Sequence, residues 1–219
     1  MSNKTVIRHT RNSDIKPLIE LQKHVYPSIP PWREELLLQQ IDIFPQGQLI
    51  AEINGQLVGA ASSLVVLWDE WDVAHTWKEI TAKGSFDTHN PQGRTLYGAE
   101  VFVHPQLRGA GIGRALYQGR RRVCRKLNLK RIMACGRLPG YHRYADQMSA
   151  QLYAQKVVWG DIIDPVLSFQ LRESFHYCGT VADYIPEDHE SLGYASLIVW
   201  LNPLFNPKKP ASIVEGDVL

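Results

Sequence analysis

The chain has 219 residues, a net charge of +2 and 44% hydrophobic residues, including six Trp. That suffices for one domain with a sizeable core, and so small a charge does not by itself argue for a nucleic-acid or membrane partner. No apolar run is long enough to span a membrane, no export signal opens the chain, and Cys124, Cys135 and Cys178 lack C-x-x-C spacing; the expectation is a cytoplasmic protein with reduced thiols, no disulfide framework and no metal site.

In chain order, Thr5 to Thr10 reads as an opening strand. Asn12, Ser13 and Asp14 offer caps for a helix over Ile15 to Tyr26, whose apolar positions are Ile15, Leu18, Ile19 and Leu21. Pro27 to Pro31 breaks it, and a second helix follows over Arg33 to Ile43. Gln48 to Ile53 and Gln56 to Val66 flank Asn54-Gly55, a pair suited to a two-residue type I′ hairpin turn. Leu67 to Arg94 is an aromatic-rich insertion holding Trp68, Trp71, Trp77 and Phe86. Leu96 to His104 is apolar at alternating positions on both faces, as in a central strand covered on both sides.

At Pro105 that strand stops, and Arg108-Gly109-Ala110-Gly111-Ile112-Gly113-Arg114 leads into a helix with Ile112, Ala115, Leu116, Gly119, Val123 and Leu127 on one face. A strand passing through such a turn into a helix points unpaired N–H groups one way, at the positive end of the helix dipole, which suits a phosphate. The glycines permit unusual dihedrals and close approach of a ligand. G-x-G-x-x-G/A fails in both frames, since the sixth residue is Arg114 or Leu116, and no Gly-Lys-Ser/Thr triplet completes a P-loop. Arg131 to Cys135 reads as a strand, Leu138 to Tyr141 as irregular, Ser149 to Trp159 and Asp164 to Glu173 as helical, and Phe175 to Val181 and Leu192 to Leu201 as closing strands.

Arg108, Gly111 and Gly113, following Val103-His104-Pro105, fit [Q/R]-x-x-G-x-[G/A]. The run resembles the pyrophosphate loop of the GNAT acetyltransferase superfamily, and the element order resembles its fold. The resemblance implies an α/β (α+β) architecture, a mixed, twisted sheet of about seven strands with helices on both faces. It covers Thr5 to Leu201 and sets a domain over residues 1–202, with an extended or disordered tail over 203–219. In finer grain, Gly136 to Gln147, Asp164 to Leu167 and Glu190 to Ala195 resemble the acetyltransferase-like domain that precedes a carbon-nitrogen hydrolase domain in some bacterial proteins. There the hydrolase begins near the equivalent of Asn202, so no hydrolase activity carries over.

The resemblance implies acetyl-CoA as co-substrate, without a metal. The backbone of Arg108, Gly109, Ala110, Gly111, Ile112, Gly113 and Arg114 would hold its pyrophosphate. The edge of Val101, Phe102 and Val103 would pair with the pantetheine arm, and an N–H near Val103 would polarise the thioester carbonyl. A family glutamate on this strand serves as base, and Glu100 is the strand's only carboxylate. By strict alternation the base position falls at Tyr97 or Ala99, on the opposite face, unless a bulge reverses parity; the alternative for Glu100 is an ion pair with a helix arginine. The family acid is a tyrosine, but counting back from Phe175 puts Gln170 in its place, leaving Tyr141, Tyr144 or Tyr153 as replacements.

The Tyr141 to Asp146 segment reads equally as an acceptor-binding loop and as surface packing or a homodimer contact. His104 reads better as a hydrogen-bonded structural residue than as a base. Arg108, Arg114, Arg120, Arg121, Arg122, Arg125, Lys126, Lys130 and Arg131 read as a solvated helix face, part of which meets the phosphates of coenzyme A, rather than a nucleic-acid stripe, since no aromatic residues are interleaved and the net charge is near neutral. The expected activity is transfer of an acetyl group to a small-molecule or peptide amine by direct attack. No G-x-S-x-G context supports an acyl-enzyme. The rivals are an acyl-CoA sensor with weak chemistry and, further off, a nucleic-acid-binding module.

Overall fold

A computed structural model of the chain describes residues 4–27, 30–212 and 219. Its strands are β1 (Val6–His9), β2 (Leu49–Ile53), β3 (Gln56–Val66), β4 (Thr95–Val103), β5 (Arg131–Arg137), β6 (His176–Val181) and β7 (Ala195–Leu201). Its helices are α1 (Ile15–Val25), α2 (Glu34–Ile43), α3 (Trp77–Ile80), α4 (Ile112–Lys126), α5 (Ala150–Trp159) and α6 (Leu167–Arg172). The seven strands form one sheet in the order β1-β2-β3-β4-β5-β7-β6. Every neighbouring pair is antiparallel except β4 and β5.

Alternation along the strands sends side chains to two cores. Leu49, Ala61, Leu96, Ile132 and Ile198 meet α4, α5 and α6 through Ile112, Leu116, Val123, Tyr153 and Leu167. Ile50, Ala60 and Phe102 face α1 and α2 through Leu18 and Leu37. The insertion extends this second layer, with Ile80 and Phe86 against Leu64, Tyr97 and Met133. The mixed sheet with helices on both faces is therefore as the sequence implied, and Asn54 and Gly55, with φ of 52° and 78°, make the expected I′-like turn.

The break expected over Pro27 to Pro31 lies partly outside the described residues. The insertion, which gave no elements by periodicity, is organised by hydrogen bonds. Thr76 caps α3 by accepting from Glu79 N–H at 3.1 Å. His75, whose pKa burial lowers, lies 2.7 Å through Nδ1 from Asp72 O and 2.9 Å through Nε2 from the Tyr97 hydroxyl. Tyr97 is in turn 2.8 Å from the Tyr184 hydroxyl. With Nδ1–H donating to Asp72, Nε2 accepts from Tyr97, which ties the insertion to β4.

The segment from Asn202 onward, expected to be extended or disordered, is fastened to the rest of the fold. Asn202 Nδ2 donates to Leu129 O at 2.8 Å, Asn206 N–H donates to Asn128 Oδ1 at 2.9 Å, and Ser212 N–H donates to Leu127 O at 3.1 Å. Phe205 lies under the Arg94 guanidinium. The tail is extended but bonded as far as Ser212; residues 213–218 lie outside the described residues.

Candidate active site

The site grows from a divergence in the sheet. β4 pairs with β5 only at Thr95–Arg131, Leu96–Ile132 and Tyr97–Met133. β5 continues along β7 as far as Arg137–Ala195, while β4 continues along β3 as far as Val103–Gly59. From Gly98 onward β4 therefore lacks a strand neighbour on its β5 side among the described residues. Val101 and Val103 turn their side chains to the α4 layer and Phe102 to the α1 layer. The free backbone edge between them is what a ligand amide could pair with.

β4 runs through a turn at Pro105–Leu107 into the glycine loop. His104 accepts from Gln106 N–H through Nδ1 at 3.3 Å, consistent with a structural role. Gly109 and Gly111 have φ of 83° and 82°, and a Cβ on either would meet only open space. Arg108 to Gly111 are exposed, whereas Ile112 is buried and anchors the helix start. Ala115 N–H to Gly111 O is the first hydrogen bond of α4. The N–H groups of Ile112, Gly113 and Arg114 thus lack intrahelical acceptors at the positive end of the helix dipole. These groups can hold an anion.

Glu100 depends on a bulge. Ser62 pairs with Glu100 but Ser63 pairs with Gly98, so Ala99 is an extra residue on β4. Tyr97 and Ala99 before it, and Phe102 after it, all face the α1, α2 and insertion layer. Glu100 lines a recess in that layer with Gln22, Trp32, Gln40, Ser62 and Phe102. Parity is reversed, and Glu100 joins the face of Tyr97. The carbonyls around the bulge are capped by side chains: Arg120 donates to Glu100 O, to Ser62 O at 2.9 Å and to Ser63 Oγ at 2.9 Å, and Trp77 Nε1 donates to Ala99 O at 3.0 Å. A Cβ on Gly98 would sit 2.9 Å from an Arg120 nitrogen, so a larger residue here would push the guanidinium aside.

Arg120, 3% exposed, is therefore not part of a solvated face. Arg121 also departs from it, pairing with Glu173 at 3.4 Å and lying over Trp200. Replacing Arg120 by methionine leaves two carbonyls and a hydroxyl without a donor, and a loss of roughly 3 kcal/mol is expected. In thermal melts this lowers Tm by about 6–12 °C, whereas the exposed Arg122→Met changes stability by less than about 0.5 kcal/mol. Equal effects of the two substitutions would refute the capping role.

Burial pushes the Glu100 carboxyl up to about 8, against the opposing pull of Arg120 and of a hydrogen bond from the Tyr26 hydroxyl. Tyr26, which no sequence pattern marked, follows α1 and packs edge-on against Phe102. Arg137 at the end of β5 was also missed. It pairs with Asp188 and with Glu190 at 3.0 Å, and its charge and that of Arg108 both bear on Tyr26. A carboxyl of this kind accepts a proton near neutral pH.

The expected acids fare differently. Tyr153 is fully buried and donates to Asp164 Oδ2 at 2.8 Å. Tyr141 is buried and donates to Met148 O at 3.2 Å. Both hydroxyls already donate inside the α5 layer. The Tyr141 to Asp146 segment is bound to that layer too, with Tyr144 stacked at a tilt on Tyr153. Gln170 is buried between α6 and β5. Among the described residues, no group of three or more His, Cys, Asp or Glu could hold a metal ion, and no helix is long and apolar enough to cross a membrane.

Residues 15–154 match the model of the Acetyltransferase (GNAT) family. Two Bacillus subtilis proteins are similar in sequence. "Probable hydrolase YhcX" is 43% identical over 94% of this chain, which spans 40% of that protein's length. "Uncharacterized N-acetyltransferase YkwB" is 37% identical over 91% of this chain and 89% of its own. Among solved structures, the loading GNATL domain of CurA from Lyngbya majuscula is 22% identical with a TM-score of 0.80, covering 91% of this chain and 98% of that one. The GphF GNAT-like decarboxylase in complex with isobutyryl-CoA is 23% identical with a TM-score of 0.76, covering 90% and 99%.

Proposed function

The chain belongs to the GNAT acetyltransferase family, and from that premise we propose that it transfers an acetyl group from acetyl-CoA to a primary amine by direct attack. The observation that carries this reading is the continuous path from the unpaired β4 edge, through two left-handed glycines, to the open N-terminus of α4. Such a path offers acceptors and donors for a pantetheine arm and N–H groups for a pyrophosphate.

In this proposal Glu100 takes the proton as the amine nitrogen attacks the thioester carbonyl. Its raised pKa matches that task better than an ordinary carboxylate would. A free N–H of β4 near Val103 stabilises the oxyanion. The C–S bond then breaks and the electron pair leaves on sulfur. Tyr26, whose hydroxyl bears on the Glu100 carboxyl, would keep it in place.

The likeness in shape to a GNAT-like decarboxylase supports a second reading, in which a carboxylated acyl-CoA loses CO2 at the same site. One assay separates the possibilities. Acetyl-CoA with a panel of amines and peptides is expected to release free CoA with matching amide product. CO2 release from carboxyacyl-CoA without amide formation would favour the second reading. Tight CoA binding with neither reaction would make the chain an acyl-CoA sensor.

A further inference from the structure

We infer that the acceptor is an apolar primary amine, its hydrocarbon body resting on Trp32 and Trp77 and its nitrogen between Glu100 and Ser62, an inference that rests on the amine-transfer reading above. Glu100 and Trp32 line one recess. Trp77 comes from the insertion, and its Nε1–H donates at 3.0 Å to Ala99 O, in the stretch of β4 beyond its last β5 pair. The two indoles meet at 5.7 Å between centroids, tilted by 60°. Each is half-buried. Two segments far apart in the chain therefore bring partly open aromatic surfaces together beside the proposed base.

The polar groups of the recess select against a polar acceptor. Among the described residues that line it, Glu100 alone is charged. Gln22 Oε1 accepts from Trp32 N–H at 3.1 Å, and Gln40 Nε2 donates to Gly84 O at 2.7 Å. Gln48 Nε2 donates to Phe44 O and Ser63 O, each at 3.0 Å. These amides are engaged by the fold. Ser62 differs: its Oγ is buried and has no hydrogen-bond partner among the described residues. Ser62 pairs with Glu100 across β3 and β4, so their side chains share a face. A buried hydroxyl without a partner is costly, and an N–H of a bound amine would satisfy it.

Two polar groups thus meet the nitrogen. Ser62 Oγ accepts one N–H, and Glu100 takes the proton released as the C–N bond forms and the C–S bond breaks to a thiolate. Leu18, Leu37 and Phe102 beside Trp32 make the rest apolar. Such a surface gains from covering hydrocarbon and loses from desolvating a second charge. A carboxylate on the acceptor would meet Glu100, and Arg137, whose charge reaches Tyr26, is already paired with Asp188 and Glu190. Amino sugars and zwitterionic amino acids are therefore poor acceptors.

The test uses three amines of similar length that differ at the far end: hexylamine, hexamethylenediamine and aminocaproate. With acetyl-CoA, kcat/KM for hexylamine is expected to exceed that for each of the others at least about tenfold. Trp32→Ala should raise KM for hexylamine and remove most of that preference, and Trp32→Phe should restore it. In NMR spectra of the unaltered protein, hexylamine should shift the indole N–H signals of Trp32 and Trp77, and the other two amines at the same concentration should not. Equal kcat/KM for the three amines, indole signals unmoved by hexylamine, or a preference that survives in folded Trp32→Ala would overturn the inference and leave amine transfer standing. Indole shifts with hexylamine but no acetylated product would support the apolar seat and overturn the transfer reading instead.

Discussion

Replacing Gly111 by glutamate is expected to abolish CoA binding while leaving the fold intact. Gly111 has φ of 82° and caps α4, and no atom lies within 4 Å of where its Cβ would stand. The cost to the fold is thus limited to a left-handed non-glycine residue, about 1–2 kcal/mol. The cost to binding is larger, because a carboxylate would occupy the space and the positive potential proposed for a pyrophosphate. Gly111→Ala carries the same strain without the charge. By calorimetry, the alanine variant should lose affinity several-fold and the glutamate variant at least roughly 100-fold. Wild-type affinity in Gly111→Glu, with a normal melt, would refute the loop assignment.

The glycine loop was legible because its signal is local. Two glycines at positive φ and a buried Ile112 need only a few consecutive residues to declare themselves. The hairpin at Asn54-Gly55 was legible for the same reason. What stayed hidden depends on contacts between residues far apart in the chain. The parity of Glu100 is set by an extra residue at Ala99, and that bulge is held by Arg120 on α4 and Trp77 in the insertion. A run of basic residues looks solvated until one of them is found capping carbonyls beneath the helix. Tyr141 and Tyr153 looked available because a polar aromatic segment gives no sign of which hydroxyls are already bound. The tail is held at Asn128, an αL residue with φ of 51° just beyond α4, whose side chain bonds residues some 80 positions away. Gln170 is intermediate: its identity was visible as a departure from the family tyrosine, but its burial against Tyr117 and Gly136 was not.

Glu100→Gln should lower kcat/KM by about 10²–10⁴, the usual contribution of a general base. It should also remove the rise in rate expected of the wild type as pH passes through about 8. The same carboxyl has a signature in stability that does not depend on catalysis. Its pKa in the fold lies above the value of about 4.3 for an unfolded glutamate. The fold therefore favours the protonated form, and the wild type loses stability as pH rises from the unfolded value through about 8. Glutamine does not titrate, so the variant should melt with the wild type at pH 4 and above it at pH 8. A stability gap that opens with pH while the rate profile stays unchanged would mark Glu100 as a buried acid outside the reaction. No gap would mean that the recess does not disfavour the charge, and the bulge would then have brought an ordinary carboxylate to this face.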